Sequence, residues 1–287
     1  MCGVSGYFYK TNYHLVCAFF SVILRVFVCR GVLFVLAGKR ALIVGLMSDR
    51  SIAYGIADRM HSFGAQLGFS YLERFDSRVK SLTQEWDPFL YAPCDLSCDN
   101  DIARLVETVA NSGDKLDVLV HSVAFAPRDH LDGDFLKNLT REGMHQSHDV
   151  SSHSFALLAK ALLPYMNDNA SIITLTYLGS VRAMPNYNIM GVAKASLECS
   201  VRYMAAACGS RGIRVNAVSP GPIKTASAAG IKGLREMIDH VASISPIAKP
   251  IDIQQVGNTC AFLASDLASG ITGSTIYVDH GYHTCAV

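Results

Sequence analysis

Residues 41–57 read ALIVGLMSDRSIAYGIA, an apolar run followed by a polar turn and an amphipathic segment. The run Ala41–Val44 is typical of a buried strand, and the apolar spacing at the end of the segment is typical of a helix. Gly45 ends the strand, Ser51 stands where a helix N-cap is expected, and Gly55 should let the helix pack closely against the sheet. Exposed amides at such a helix start can bind a pyrophosphate, but a glycine turn with a capping serine also occurs for purely structural reasons.

The same alternation of strand and helix continues along the chain. Further strands are predicted at residues 66–71, 89–92, 116–122, 171–176, 213–218 and 275–278, and helices at residues 52–63, 102–110, 155–166 and 193–207. Strict alternation implies right-handed crossovers and a parallel sheet that is covered on both faces. The predicted fold is α/β: one Rossmann-type domain over residues 38–287, with a doubly wound, seven-stranded parallel sheet and helices on both faces. Ligands of such a sheet bind at the carboxyl ends of its strands.

The first 37 residues differ from the rest because they contain no Asp or Glu. Apolar residues crowd the stretch from Leu15 to Ala37, but Arg25 and Arg30 interrupt it. Each arginine would cost about 2.5 to 3.5 kcal/mol near the centre of a bilayer, so a stable membrane span is not expected. Residues 1–37 are interpreted as an apolar, basic extension that is either disordered or a targeting segment.

Composition narrows the function classes. Half of the 287 residues are hydrophobic and 17% are charged, and 25 Lys and Arg residues face 24 Asp and Glu residues. The chain is therefore expected to be globular, and a net charge of +1 gives no field that would gather nucleic acid. Nine cysteines without a C-x-x-C pair favour a reducing compartment, the cytoplasm. The histidines lack metal-site spacing, so no metal is expected.

The segment that follows the fifth predicted strand carries candidate chemistry. Tyr187 and Lys194 are seven residues apart, so on a helix they share one face with a rise of about 10 Å between them. A tyrosine hydroxyl can donate a hydrogen bond to a developing oxyanion, and a lysine ammonium can hold the hydroxyls of a ribose. A buried aromatic residue and a lysine that extends along an amphipathic helix would give the same spacing, so the pair alone leaves both interpretations open.

Several separate stretches of the chain together resemble one family. They are residues 51–57, 121–122, 125–127, 131–134, 177–194, 202–205 and 221–223. From Gly38 to about His283 the chain resembles the bacterial, NADH-type enoyl-acyl carrier protein reductases of the short-chain dehydrogenase/reductase superfamily. A tyrosine and a lysine seven residues apart, in place of the superfamily's usual four, mark this family. None of the 12 tyrosines has a lysine four residues later, which disfavours other members of the superfamily.

The resemblance implies an enzyme that reduces the trans-2 double bond of enoyl thioesters carried on acyl carrier protein. This reaction is the last step of the fatty acid elongation cycle in type II synthesis. A hydride from NADH would attack the β-carbon, and negative charge would develop on the thioester oxygen. The resemblance also implies a homotetramer. A ketoacyl reductase of the same superfamily and a non-catalytic dinucleotide-binding protein are the alternatives.

Residue roles follow from the resemblance position by position. Tyr187 would hydrogen-bond the thioester carbonyl, Lys194 would bind the nicotinamide ribose, and Tyr177 would flank the acyl chain. The other cofactor-binding candidates are Gly45, Ser51, Ile52, Leu72, Asp95, Leu96, Ser122, Val123, Ala124, Ile223 and Thr225, and the other substrate-binding candidates are Ala126, Met190 and Leu234.

Two further expectations concern the rim of the site. Residues 226–238 would form a mobile flap over the substrate, and Lys232 and Arg235 would be the basic residues that dock the acidic carrier protein. At the end of the second strand, Glu73 favours the unphosphorylated ribose of NADH. The bases that could bind the 2′-phosphate of NADPH are Arg74, Arg78 and Lys80. NADH is the expected cofactor and NADPH the alternative.

Overall fold

The computed structural model describes residues 34–225, 228 and 232–285. Residues 1–33 of the predicted extension, and residues 226, 227 and 229–231 of the predicted flap, lie outside the described residues. Within the described part, Leu36 is fully buried, and its amide donates to the carbonyl of Phe63 at 3.0 Å. The packed region therefore includes residues before Gly38, where the sequence prediction starts the domain.

The described strands form one parallel sheet in the order β3-β2-β1-β4-β5-β6-β7. They are β1 (Arg40–Val44), β2 (Gln66–Tyr71), β3 (Leu90–Pro93), β4 (Leu116–His121), β5 (Met166–Leu175), β6 (Arg214–Pro220) and β7 (Thr275–Val278). The chain builds outward from β1 to β3, crosses back to place β4 on the other side of β1, and then builds outward to β7. This reversal of direction confirms the predicted doubly wound, seven-stranded parallel sheet.

The largest difference from the predicted strands is at β5, which begins at Met166 instead of Ser171. Met166 pairs with Leu116, and the register then shifts before Val118 pairs with Ser171. The irregular stretch is polar, and Asn169 has a φ of +61°. A polar sequence with one left-handed residue does not have the apolar character of a strand, which is why it was not predicted.

Helices cover both faces of the sheet. They are α1 (Ile52–Ser62), α2 (Asp76–Thr83), α3 (Asp99–Ala110), α4 (Phe135–Asn138), α5 (Arg141–His148), α6 (Ser154–Leu162), α7 (Asn188–Cys208), α8 (Leu234–Ile244) and α9 (Ile253–Ala264). A π-helical turn at Asp149–His153 joins α5 to α6. Among the described helices, none combines the length and the apolar character that a membrane span requires.

The core consists of two apolar layers, one on each face of the sheet. Neighbouring residues of β1 point into different layers, with Ile43 in one and Leu42 in the other, because successive strand side chains alternate. The first layer packs against α1 and α9, and the second packs against α3, α6 and α7.

Helices α1 and α9 approach each other unusually closely. A side chain at Gly55 of α1 would collide with the backbone carbonyl of Ile253, and one at Gly257 of α9 would collide with the carbonyl of Gly55. The sequence analysis expected Gly55 to let α1 pack closely against the sheet. That prediction is wrong about which element packs against the glycine. The glycine is required because another helix, and not the sheet, lies against it.

Candidate active site

A cavity of about 1260 Å³ opens at the carboxyl ends of the strands. The loops that follow β1, β2, β3, β4, β5 and β6 all line it. Every residue proposed from the sequence as catalytic, cofactor-binding or substrate-binding also lines it. The volume exceeds the roughly 300–1,000 Å³ of a typical pocket for one small ligand, so the cavity can hold a dinucleotide together with a substrate.

The turn between β1 and α1 forms one wall of the cavity. Gly45 has a φ of +102°, and a side chain there would collide with the carbonyl of Ser122. The hydroxyl of Ser51 accepts from the amide of Tyr54 at 3.3 Å and donates to the carbonyl of Ser48 at 2.6 Å. The predicted N-cap is confirmed, and it leaves the first amides of α1 directed at the space where a pyrophosphate can bind.

Two tyrosines face each other in the middle of the cavity. The rings of Tyr177 and Tyr187 lie edge to face, with 4.8 Å between their centroids and 64° between their planes. Tyr187 is the N-cap of α7, so it precedes the helix and does not lie within it. Both neighbours of Tyr187 have positive φ, +58° at Asn186 and +28° at Asn188. Burial raises the pKa of both tyrosines, so each hydroxyl stays protonated and can donate a hydrogen bond.

Lys194 lies two turns into α7 and is only 5% exposed to solvent. Its ammonium donates to the carbonyl of Leu175, at the end of β5, over 2.8 Å. Burial lowers the pKa of Lys194 to about 8, and the negative charge of Glu198 opposes that shift. The ammonium is therefore mostly charged at neutral pH, with donors left for a ligand in the cavity.

Comparison with known proteins identifies the family of this chain. The family model described as enoyl-(acyl carrier protein) reductase matches residues 45–283. The chain belongs to the enoyl-acyl carrier protein reductase family. The NADH enoyl-acyl carrier protein reductase of Salmonella typhimurium is 47% identical over 253 residues, which cover 88% of this chain and 97% of that protein. The corresponding protein of Nostoc sp. is 48% identical over 251 residues, covering 86% and 97%.

Solved structures of the family have the same fold. The NADH enoyl-acyl carrier protein reductase of Aquifex aeolicus superposes with a TM-score of 0.85 at 42% identity, covering 88% of this chain and 100% of that one. The reductase of Anaplasma phagocytophilum in complex with NAD superposes with a TM-score of 0.84 at 35% identity, covering 88% and 97%. The resemblance stated from the sequence and the predicted fold are both confirmed.

The end of β2 was expected to determine whether the protein binds NADH or NADPH. One basic residue near this strand end lines the cavity. Of the three predicted bases, Arg74 lines it, whereas Arg78 and Lys80 do not, and Lys80 pairs with Asp76 at 3.0 Å. At the next loop, one carboxylate oxygen of Asp95 accepts from the amide and hydroxyl of Ser97. These bonds fix the Asp95 loop at this end of the cavity.

Glu198 was not predicted from the sequence, although it is 8% exposed beside the tyrosines and Lys194. One of its carboxylate oxygens accepts from the hydroxyls of Thr176 at 2.7 Å and Ser180 at 2.5 Å. Glu198 follows Lys194 by one helical turn and lies next to the fully buried Leu197. An acidic residue in the apolar register of a predicted helix was the signal that could have identified it.

His121, the last residue of β4, was also not predicted as a site residue. It is fully buried, and its two ring nitrogens lie 3.2 Å from the Thr174 hydroxyl and 2.9 Å from the Ser154 hydroxyl. Burial, with a smaller contribution from the charge of Lys194, lowers the pKa of His121 to about 3. The imidazole is therefore neutral and ties β4 to β5 and α6 directly behind the cavity.

The end of the cavity away from the Asp95 loop is more apolar. The Ser151 hydroxyl contacts the sulfur of Met190, and the Tyr177 hydroxyl contacts the sulfur of Met237 in α8, each over 3.6 Å. Leu234 opens α8 and lines the cavity, whereas Lys232 and Arg235 are exposed and do not line it. A polar loop at one end and thioether and aliphatic groups at the other suit a dinucleotide and an acyl chain.

Proposed function

We infer that the protein is an NADH-dependent enoyl-acyl carrier protein reductase. It reduces the trans-2 double bond of enoyl thioesters, the last step of fatty acid elongation. The observation that carries this function is that half-buried Tyr187 and buried Lys194 both line one cavity at the strand ends. The family membership, with relatives that are NADH reductases at 47% and 48% identity, supports it.

The residues of the cavity suit NADH. The free amides of α1 and the glycine turn at Gly45 provide a cradle for the pyrophosphate, which a side chain at that glycine would disrupt. Lys194 presents an ammonium for ribose hydroxyls, and Leu72, Asp95 and Leu96 lie at the end assigned to the adenosine. The nicotinamide supplies the hydride that reduces the double bond when the cofactor is bound.

Tyr187 stabilises the charge that develops on the substrate. As the β-carbon is reduced, negative charge appears on the thioester oxygen, and the Tyr187 hydroxyl donates a hydrogen bond to it. The raised pKa of Tyr187 keeps that proton in place. A donor of this kind is worth about 2.7 to 4 kcal/mol in the transition state. Tyr177, edge-on to Tyr187, fixes the ring and borders the acyl chain.

The remaining proposals concern the binding partner, the oligomeric state, the cellular location and the domain bounds. Acyl carrier protein delivers the substrate, and we propose that the exposed Lys232 and Arg235 contact its acidic surface. We also propose a homotetramer in the cytoplasm. Residues 38–287 are the proposed reductase domain, and residues 1–37 are a proposed extension that takes no part in the chemistry, although Leu36 packs in the core. Each cofactor- and substrate-binding role given above is part of the same proposal.

One assay tests the function. Purified protein is mixed with NADH and crotonyl thioester, and the loss of nicotinamide absorbance is followed, with NADPH as the matched cofactor control. We expect oxidation of NADH in preference to NADPH. Consumption of acetoacetyl thioester in place of crotonyl thioester would favour a ketoacyl reductase, and NADH binding without consumption of either would favour a non-catalytic protein.

A further inference from the structure

Glu198 joins the two parts of the chain that carry the tyrosines and the lysine. Its carboxylate accepts from Thr176 and Ser180, the residues on either side of the loop that holds Tyr177. Glu198 itself lies on α7, one turn after Lys194. Two hydroxyl donors on one buried carboxylate oxygen therefore hold the Tyr177 loop to the helix of Lys194.

The same loop also contacts Tyr187. A side chain at Gly179 would lie 2.5 Å from a ring carbon of Tyr187, so the loop backbone is already pressed against that ring. A movement of the loop away from Glu198 would therefore release Tyr177 and remove the support of Tyr187. The carboxylate therefore acts on the two tyrosines through the loop of residues 176–180, to which it is hydrogen-bonded at both ends.

The charge of Glu198 also acts on Lys194. The titratable groups that face this pair are His121 from β4, Tyr187 before α7 and Tyr277 from β7. His121 has a pKa of about 3, and burial raises the pKa of both tyrosines, so all three are neutral near pH 7. The guanidinium of Arg202 donates to the backbone carbonyl of Glu198 at 3.1 Å. Among the groups described around Lys194, Glu198 supplies the negative charge.

We propose that Glu198 is a positioning residue of the reaction, an inference that rests on the reductase function proposed above. Its carboxylate holds the Tyr177 loop on α7 through Thr176 and Ser180, and its negative charge lies one helical turn from Lys194, the residue proposed to bind the ribose. Glu198 does not touch the substrate, and it acts through Tyr177, Tyr187 and Lys194.

The charge is tested with Glu198→Gln, which keeps the shape and one acceptor oxygen, and Ser180→Ala, which keeps the charge and removes one donor. The dissociation constant for NADH is measured by fluorescence across the alkaline range. In the unaltered protein, NADH binding should weaken as the pH rises through the Lys194 pKa of about 8. In Glu198→Gln that weakening should begin about one pH unit lower, because an opposite charge has been lost. In Ser180→Ala the pH at which NADH binding begins to weaken should not change.

The conservative variant Glu198→Asp should restore most of the alkaline range, since it restores the charge. A Glu198→Gln variant with an unchanged melting temperature and an unchanged alkaline limit would overturn the charge role. An equal shift in Ser180→Ala would also overturn it. These outcomes are read from NADH binding in the variants. The reductase function is tested separately, by whether the unaltered protein oxidises NADH with crotonyl thioester.

The positioning role is tested with the double variant Thr176→Val, Ser180→Ala, which removes both hydroxyl donors and keeps Glu198. This test does not depend on whether Glu198→Gln folds. We expect kcat with crotonyl thioester to fall on the order of tenfold or more, because the tyrosines lose their alignment. The alkaline limit of NADH binding should not move. A double variant with the kcat of the unaltered protein would refute the positioning role.

Discussion

At the scale of single residues, we expect the two tyrosines to differ in importance, because Tyr187 is the proposed donor to the thioester oxygen and the Tyr177 hydroxyl contacts the sulfur of Met237. Tyr187→Phe keeps the edge-to-face packing with Tyr177 and removes the hydroxyl. We expect kcat to fall by about 10² to 10³, the usual effect of losing one oxyanion donor, while NADH binding is retained. Tyr177→Phe is the matched control and should cost much less turnover. Stopped-flow or steady-state oxidation of NADH with crotonyl thioester measures both, and equal losses in the two variants would contradict the assignment.

Lys194 should act on the cofactor and not on the acyl group. Lys194→Ala removes a buried ammonium that holds Leu175 and faces the cavity. A hydrogen bond to a charged group is worth about 1.5 to 3 kcal/mol, so NADH should bind roughly ten to a hundred times more weakly. Lys160→Ala, at an exposed lysine of α6, is the control and should bind NADH normally. NADH affinity unchanged in Lys194→Ala would refute the ribose role.

At the scale of elements, how much the sequence predicts depends on whether an element is apolar in a regular pattern. The buried strands and α1 have that pattern, and apart from the polar start of β5 their bounds agree closely with prediction, as for Gln66–Tyr71. The four helix ranges predicted from the sequence leave out α2, α4, α5, α8 and α9. In α5 the residues REGMHQSH are mostly polar, and a π-helical turn follows them, so the helical period is interrupted. Tertiary packing stabilises such a helix, and local propensity does not.

The contact between α1 and α9 is an element-scale feature that the sequence could not reveal, and it gives a prediction. Gly55→Ala places a methyl group against the carbonyl of Ile253, so the two helices must separate. We expect a loss of about 1 to 3 kcal/mol in the free energy of unfolding, measured with urea. Gly209→Ala is the matched control, because that glycine has open space around it and a helical φ of −60°. It should change the stability by less than about 0.5 kcal/mol. Equal stability of the two variants would show that the helices can move apart at no cost.

At the scale of the whole molecule, the candidate site was predictable because a parallel sheet brings its strand ends to one edge. Residues as distant in sequence as Gly45, Asp95 and Ile223 line one cavity for that reason. The spacing of Tyr187 and Lys194 then indicated which loop was expected to carry the chemistry. Glu198 and His121 could not be assigned in the same way, because their partners are hydroxyls on other strands, helices and loops. Only the folded chain shows that these hydroxyls meet them.

Burial of His121 should make the stability of the whole protein depend on pH in the acid range. Its pKa is about 3 in the folded protein, against an ordinary value of 6.5. Above pH 6.5 neither the folded nor the unfolded chain carries a proton there, whereas between pH 6.5 and about 3 only the unfolded chain does. The free energy of unfolding should therefore fall as the pH falls through this window, by an amount on the order of a few kcal/mol.

The histidine contribution is isolated by His121→Asn, which keeps polar groups near Thr174 and Ser154 but cannot take up a proton in this range. We expect this variant to be less stable at pH 7, with a shallower decline in stability between pH 6.5 and pH 4, because the unfolded chain no longer gains a proton at this position. His153→Gln, at a histidine whose side chain is 57% exposed, is the control for replacing a histidine outside the core. Urea unfolding followed by circular dichroism at several pH values measures all three proteins. If His121→Asn has the same slope as the unaltered protein, other groups cause the acid sensitivity and the neutral, buried imidazole does not.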